Sequence, residues 1–328
     1  MRKWILPEAI EDILPAEAAR IETLRRTLLD HFTTRGYRLV QPPLVEHLES
    51  LLTGTGRDLE LQTFKVVDPV SGRMLGVRAD TTPQVARIDA HLLNEAGVTR
   101  LCYAGSVLRT MPGGPGTTRE VVQIGAELFG EAGIAGDREV VGLVLSSLSV
   151  AGIAGLHLDL GHVGVYRALA AGAGIAGNAE DGELFAALRA KDASSVADLT
   201  ARLPVVWRDA LRALPDLYGP AHDVLDEARA RLPDTPAIAN ALSALDALAR
   251  GAVGEVEALH VDLADLTGYH YQNGAIFSVF TAGQTRALGN GGRYDGIGKA
   301  FGRARPATGF TLDLRHLAEV TGQSTAAS

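Results

Sequence analysis

The stretch Leu101-Cys-Tyr-Ala-Gly-Ser-Val-Leu-Arg109, Thr110-Met-Pro-Gly-Gly-Pro-Gly-Thr-Thr118, Arg119-Glu-Val-Val-Gln-Ile-Gly-Ala-Glu-Leu-Phe129 decides the fold. Its flanks have strand character and its centre is rich in Gly and Pro, which predicts an antiparallel hairpin with a long, mobile loop. Side chains alternate faces along a strand. Val122, Ile124, Ala126 and Leu128 therefore share a core face, while Arg119, Val121, Gln123, Gly125 and Glu127 share the other. Between Gln123 and Glu127 the second face offers an amide, a gap at Gly125 and a carboxylate over ~13 Å, at ~3.3 Å per residue. Such a face can hold an ammonium or imidazole group of a small ligand; a solvated sheet face is the plain alternative.

Upstream, Ile21, Leu24, Leu28 and Phe32 form one apolar stripe, predicting a helix over Ala16–Arg35 that stops at Gly36. Tyr37–Val40 reads as a short strand, and Pro42-Pro43 confines it to an edge or an interface. Asp80-Thr81-Thr82-Pro83 opens a helix running to Gly97, with Thr at the cap and Pro in the first turn. Downstream, a helix over Glu139–Gly152 precedes a strand over Leu156–Leu160. The Ala-rich stretch from about 167 to 251 reads as a helical insertion broken by prolines. Strands over Glu257–Leu263, Ala275–Thr281, Ala287–Asn290 and Ala307–Thr311 follow, then a last helix. Strands on both sides of the insertion predict an α+β fold, a single domain over residues 1–320 with a flexible tail at 321–328.

Composition narrows the function classes. The chain has 328 residues and a net charge of −8, and its 46% apolar and 21% charged content is that of a globular protein. That balance lacks the basic footprint of a nucleic-acid binder. Cys102 is the single cysteine, so neither an intrachain disulfide nor a multi-cysteine zinc site is available. The N-terminus does not read as a signal peptide, and the longest uncharged run, Val140–Leu156, is too short for a bilayer. The expectation is a cytoplasmic protein without membrane contact.

Arg109, at the loop end of the hairpin, is suited to a carboxylate or phosphate. Asp80, just before a helix start, is suited to an amine. Arg78, Asp80, Thr82, Arg109, Gln123 and Glu127 together outline an amino-acid-sized site, with a network of structural ion pairs as the alternative. Gly172-Ala-Gly174-Ile-Ala-Gly177 matches a dinucleotide fingerprint in letters, but it follows a helical stretch and reads as a helix end. Gly296-Ile-Gly298-Lys299-Ala300 lacks the hydroxyl residue and first glycine of a P-loop. His157, Asp159 and His162 look ligand-like, but the first two are i, i+2 on a strand and a clear third ligand is missing, so no metal is expected; no cofactor is expected either. Tyr269-His270-Tyr271 is either pocket lining or an aromatic strand entry.

The run Gly36-Tyr-Arg-Leu-Val-Gln-Pro-Pro-Leu44 resembles motif 1 of class II aminoacyl-tRNA synthetases, and Leu108-Arg109 through Glu127 resembles motif 2 of histidyl-tRNA synthetase. Gly291-Gly-Arg-Tyr-Asp295 and the Tyr269–Phe277 stretch resemble its histidine-specific segments. Within that superfamily, Trp4 through Pro15, Leu52-Thr-Gly-Thr-Gly56, Leu61-Gln-Thr-Phe-Lys65 and Gly76 through Leu92 resemble the regulatory-subunit paralogues of ATP phosphoribosyltransferase. The resemblance implies a class II core, with a mixed, mainly antiparallel sheet flanked by helices. It implies a histidine pocket at Asp80, Thr82, Arg109, Gln123, Glu127, Tyr269, His270 and Tyr271, with the last three as the ligand-responsive segment. It also implies a homodimer core within a hetero-oligomer, short-form catalytic subunits as partners, and histidine as effector.

Departures from the synthetase pattern bear on catalysis. His316 stands where the motif 3 arginine clamps ATP, and Thr267 stands where an arginine helps activate the carboxylate. A developing acyl-phosphate needs a fixed cation, which Thr cannot supply. Compared with the synthetase pattern, the short stretch after motif 3 carries the expectation that the anticodon-binding domain is missing. The expectation is a non-catalytic subunit without catalytic residues; the competing readings are a truncated adenylate-forming enzyme and a scaffold without a ligand.

Overall fold

The computed structural model describes residues 5–54, 56–114, 116–268 and 271–326. In chain order the helices are α1 (Pro15–Thr34), α2 (Leu48–Leu51), α3 (Arg57–Gln62), α4 (Thr82–Arg87), α5 (Ile134–Val150), α6 (Val163–Ala173), α7 (Ala179–Arg189), α8 (Ala193–Leu199), α9 (Val205–Ala213), α10 (Ala221–Arg231), α11 (Pro236–Ala252) and α12 (Leu314–Ala326). The strands are β1 (Arg38–Leu39), β2 (Val45–His47), β3 (Phe64–Val67), β4 (Met74–Val77), β5 (Thr99–Leu108), β6 (Glu120–Phe129), β7 (Leu156–His162), β8 (Tyr218–Pro220), β9 (Ala258–Asp262), β10 (Ala275–Thr281), β11 (Gly289–Arg293) and β12 (Ala307–Asp313). Two compact units result: Met1–Ala132 with Ser146–Ile153 and Asp295–Ser328, and Gly133–Leu145 with Ala154–Tyr294.

In the first unit the strands run β1-β5-β6-β12. The hairpin β5/β6 is antiparallel, with Gly105 opposite Gln123, Tyr103 opposite Gly125 and Leu101 opposite Glu127. On its other side β6 pairs antiparallel with β12, placing Gly309 opposite Glu127. β1 pairs in parallel with β5 at the edge, where the missing amide donors of Pro42 and Pro43 do no harm. The α1 stripe of Ile21, Leu24, Leu28 and Phe32 is buried as its spacing predicts, and Gly36 ends the helix region at φ +83°. α1 and α12 pack on each other and on β5 and β6.

Three features of this unit differ from the sequence expectations. β2, β4 and β3 form a small antiparallel sheet that the sequence did not reveal. Strands of three or four residues with exposed Val66 and Val67 give too little alternation to read. The helix opened by Asp80-Thr81-Thr82 passes from α4 into a π-turn over Ile88–Leu93 and stops at Asn94, φ +46°, short of Gly97. The expected tail is helical through Ala326, where α12 ends; Thr321 Oγ1 back-bonds to the Leu317 carbonyl at 2.9 Å.

The second unit orders its strands β11-β10-β7-β9-β8. β7 pairs antiparallel with β10 and in parallel with β9, so it joins segments from either side of the helical insertion. The insertion comprises α6 to α11 and also holds the unexpected β8, which pairs with β9. Pro204 and Pro220 sit at the N-caps of α9 and α10, and Pro236 opens α11; the missing N–H is harmless in a first turn. Gly174 caps α6 at φ +77°, and a Cβ on Gly172 would strike the Trp207 ring, so the apparent dinucleotide fingerprint is a packed helix end.

Candidate functional site

The turn into α4 brings Asp80, Thr81 and Thr82 onto the β6 face of the first unit. Thr81 donates from its amide and hydroxyl to Gln123 Oε1, at 3.1 and 2.9 Å. Gln123 in turn donates through Nε2 to Asp80 Oδ1 at 3.0 Å. Thr82 Oγ1 and the Tyr103 hydroxyl both donate to Glu127 Oε1, at 2.9 and 3.2 Å. Gln123 is 2% exposed and Glu127 1%, so the solvated-face alternative is excluded. Buried polar groups demand partners, and these have them.

Thr81 does not act as a conventional cap, since its hydroxyl is committed to Gln123 and caps no amide of α4. Tyr103 was not among the sequence candidates. It stands opposite Gly125 in the hairpin register, where a Cβ would lie 2.5 Å from the Tyr103 hydroxyl. Burial, then the nearby Glu127 and Asp80 carboxylates, push this phenol well above its usual pKa, so it stays a hydrogen-bond donor. Gly309 plays a similar part on β12, because a Cβ there would strike the Glu127 carboxylate. Gly125→Ala also drives a methyl against the Phe310 carbonyl. It is expected to cost about 1–3 kcal/mol through overpacking, lowering Tm by roughly 2–10 °C in thermal unfolding. An unchanged Tm would mean that the gap is not sterically required.

Arg109 joins the site at its edge. Its Nε donates to the Ala79 carbonyl at 3.4 Å, and its amide pairs with the Arg119 carbonyl at 2.9 Å. Asp80, Thr82, Gln123 and Glu127 are thus brought together, with Arg109 attached through the residue before Asp80. Carboxylates beside an arginine suit a zwitterion. In the second unit the Tyr271 ring stacks on Tyr294, with centroids 5.0 Å apart. Tyr269 and His270 lie outside the described residues. Thr267 is exposed and donates its amide to Asp265 Oδ1 at 2.9 Å. His316 is 4% exposed on α12 and sits 3.5 Å from Glu319. Among the described residues no group of three or more His, Cys, Asp or Glu side chains is arranged to hold a metal ion, and no helix is long and apolar enough to cross a membrane.

Residues 9–317 match the family model described as histidyl-tRNA synthetase. An ATP phosphoribosyltransferase regulatory subunit from Ralstonia nicotianae is 59% identical over 321 residues, covering 98% of this chain and 82% of the relative. One from Thiobacillus denitrificans is 58% identical, covering 97% of this chain and 98% of the relative. The chain belongs to the histidyl-tRNA synthetase family, in its branch of ATP phosphoribosyltransferase regulatory subunits. A solved structure of that family from Bacillus halodurans, described as an ATP phosphoribosyltransferase regulatory subunit/histidyl-tRNA synthetase, superposes with a TM-score of 0.85 at 27% identity, over 97% of this chain and 83% of that one. The histidyl-tRNA synthetase of Nostoc sp. shares the fold at a TM-score of 0.77 and 16% identity, over 99% of this chain and 77% of that one. These likenesses bear out the regulatory-subunit resemblance and the class II fold read from motifs 1 and 2.

Proposed function

We propose that this chain is a non-catalytic regulatory subunit of ATP phosphoribosyltransferase that activates a short-form catalytic subunit in the first step of histidine biosynthesis and relays feedback by histidine. The observation that carries the reading is the buried pair of linked networks, Thr82–Glu127–Tyr103 and Asp80–Gln123–Thr81, beside Arg109. In this reading Glu127 and Asp80 take the cationic groups of histidine, Arg109 takes its carboxylate, and Gln123 and Thr82 hold the frame. Tyr269, His270 and Tyr271 form the ligand-responsive segment. The lack of catalysis is supported by Thr267 and His316, neither of which offers the fixed cation that adenylate chemistry needs. For histidine to act as an effector it must favour one state of the assembly over another. A cytoplasmic hetero-oligomer built on a homodimer completes the proposal.

Reconstitution tests it. Adding this chain to a short-form catalytic subunit is expected to raise phosphoribosyl transfer, and histidine to suppress that activity. No stimulation would overturn the reading. Histidine-dependent pyrophosphate exchange with ATP by the purified chain alone would instead identify an adenylate-forming enzyme.

A further inference from the structure

Arg78 is a buried cation without a buried acid. It is 7% exposed, and among the described residues no carboxylate pairs with it; burial pulls its pKa below the usual guanidinium value. Its partners are backbone carbonyls from two segments: Nε donates to Ser106 at 2.8 Å, and Nη1 to Pro42 at 2.9 Å. Its own backbone repeats the link, since its amide donates to the Leu44 carbonyl and its carbonyl accepts from the Leu108 amide, each at 3.0 Å. Four bonds from one residue therefore tie the Pro42–Leu44 segment to the end of β5.

The location gives this knot a role. Gly105 faces Gln123 across the hairpin, so the two share the site face. The Arg78 guanidinium occupies the space above Gly105, where a Cβ would lie 2.5 Å from Nη2 and 3.6 Å from Cζ, with no other close contact. The next two residues are site residues: the Ala79 carbonyl receives Arg109, and Asp80 receives Gln123. At the far end, Leu39, Leu44 and Val45 are exposed apolar side chains. A charge taken out of water and left without a carboxylate is a poor stabilising device, since an apolar side chain of similar volume fills such a space at lower cost. An arginine fork that fixes two carbonyls at once is a good positioning device.

We propose that Arg78 is a positioning residue that couples the Pro42–Leu44 segment, half-buried at Pro42 and exposed at Pro43 and Leu44, to the ligand site, so that movement of that segment changes ligand affinity. The proposal rests on the reading of this site as a histidine site. It gives that reading a route by which a surface at the sheet edge and the ligand sense each other, as reciprocal coupling requires.

The test uses the full-length chain, with amide hydrogen exchange and calorimetric histidine titration on wild type, Arg78→Met, Arg78→Lys, Gly105→Ala and the Arg78→Met/Gly105→Ala double variant. Arg78→Lys keeps the charge but cannot span both carbonyls, and Gly105→Ala displaces the guanidinium while keeping Arg78 itself. Each single variant is expected to speed exchange at the Leu108 and Thr81 amides and to weaken histidine binding about tenfold. In the double variant the Gly105 change is expected to add nothing, because its one close neighbour is gone. Thr81 protection unchanged in Gly105→Ala, or losses that simply add, would overturn the proposal. Wild type that binds no histidine, with Thr81 still deprotected in the variants, would sink the histidine reading and leave the positioning role standing. Equal histidine binding by all forms, with Thr81 fully protected, would do the reverse.

Discussion

Glu127→Ala is expected to raise the histidine concentration for half-maximal inhibition of the reconstituted complex by about 30-fold or more, while the complex still assembles. Glu127 is 1% exposed, so in the proposed site a ligand ammonium beside its carboxylate would meet little competition from water. Truncating one member of a buried, hydrogen-bonded charge pair costs about 2–5 kcal/mol, and each 1.4 kcal/mol is tenfold. The substitution also strips the acceptor from Thr82 and Tyr103, at about 1–3 kcal/mol per orphaned donor. Glu127→Gln separates the two effects, because it keeps an acceptor and the volume while removing the charge. It is expected to fold like wild type and to lose most of the histidine response. Histidine titrations of phosphoribosyl transfer, with gel filtration as the control for assembly, decide the matter. Unchanged inhibition in both variants would place the histidine site elsewhere.

Arg305→Met is expected to destabilise the first unit by about 3–5 kcal/mol, the cost of breaking a buried pair from one side. Arg305 is 8% exposed and binds Asp89, itself 1% exposed, through both carboxylate oxygens at 2.8 and 3.1 Å. The same guanidinium reaches Thr99 Oγ1 at 3.3 Å and the Gly97 carbonyl, so it fastens the chain before β12 to the loop after the π-turn. Methionine fills the volume but leaves Asp89 charged and unpaired. Adding Asp89→Leu removes that penalty and is expected to return much of the loss, which urea unfolding of both variants measures. Equal stability of Arg305→Met and wild type would mean that water or backbone donors already satisfy Asp89.

The periodic parts of the fold were legible in the sequence, and so was the hairpin that carries the site. The stripe Ile21, Leu24, Leu28 and Phe32 named its own buried face, and the strand from Arg119 named the face that holds Gln123 and Glu127. What covers that face was not legible. Its partners come from residues 24 to 45 positions upstream, and period-two reading is blind to them. Tyr103 could have been found, because a loop centred between Leu108 and Glu120 sets a register that puts it opposite Gly125. The π-turn over Ile88–Leu93 left no mark, since one widened turn barely shifts an apolar stripe. β2, β3 and β4 were missed because short strands with exposed valines do not alternate cleanly.

The pairing of β6 with β12 has a consequence for how the protein is made. Glu127 lies against Gly309, about 180 residues later in the chain. At roughly 5–20 residues per second, translation leaves the carboxylate strand waiting on the order of 10–35 s for its neighbour. During that interval the β6 edge is an unpaired template for other nascent chains. The glycine that lets β12 close over Glu127 therefore also governs when the hazard ends: a slower closure at Gly309 would show as aggregation during expression before any defect in the finished protein.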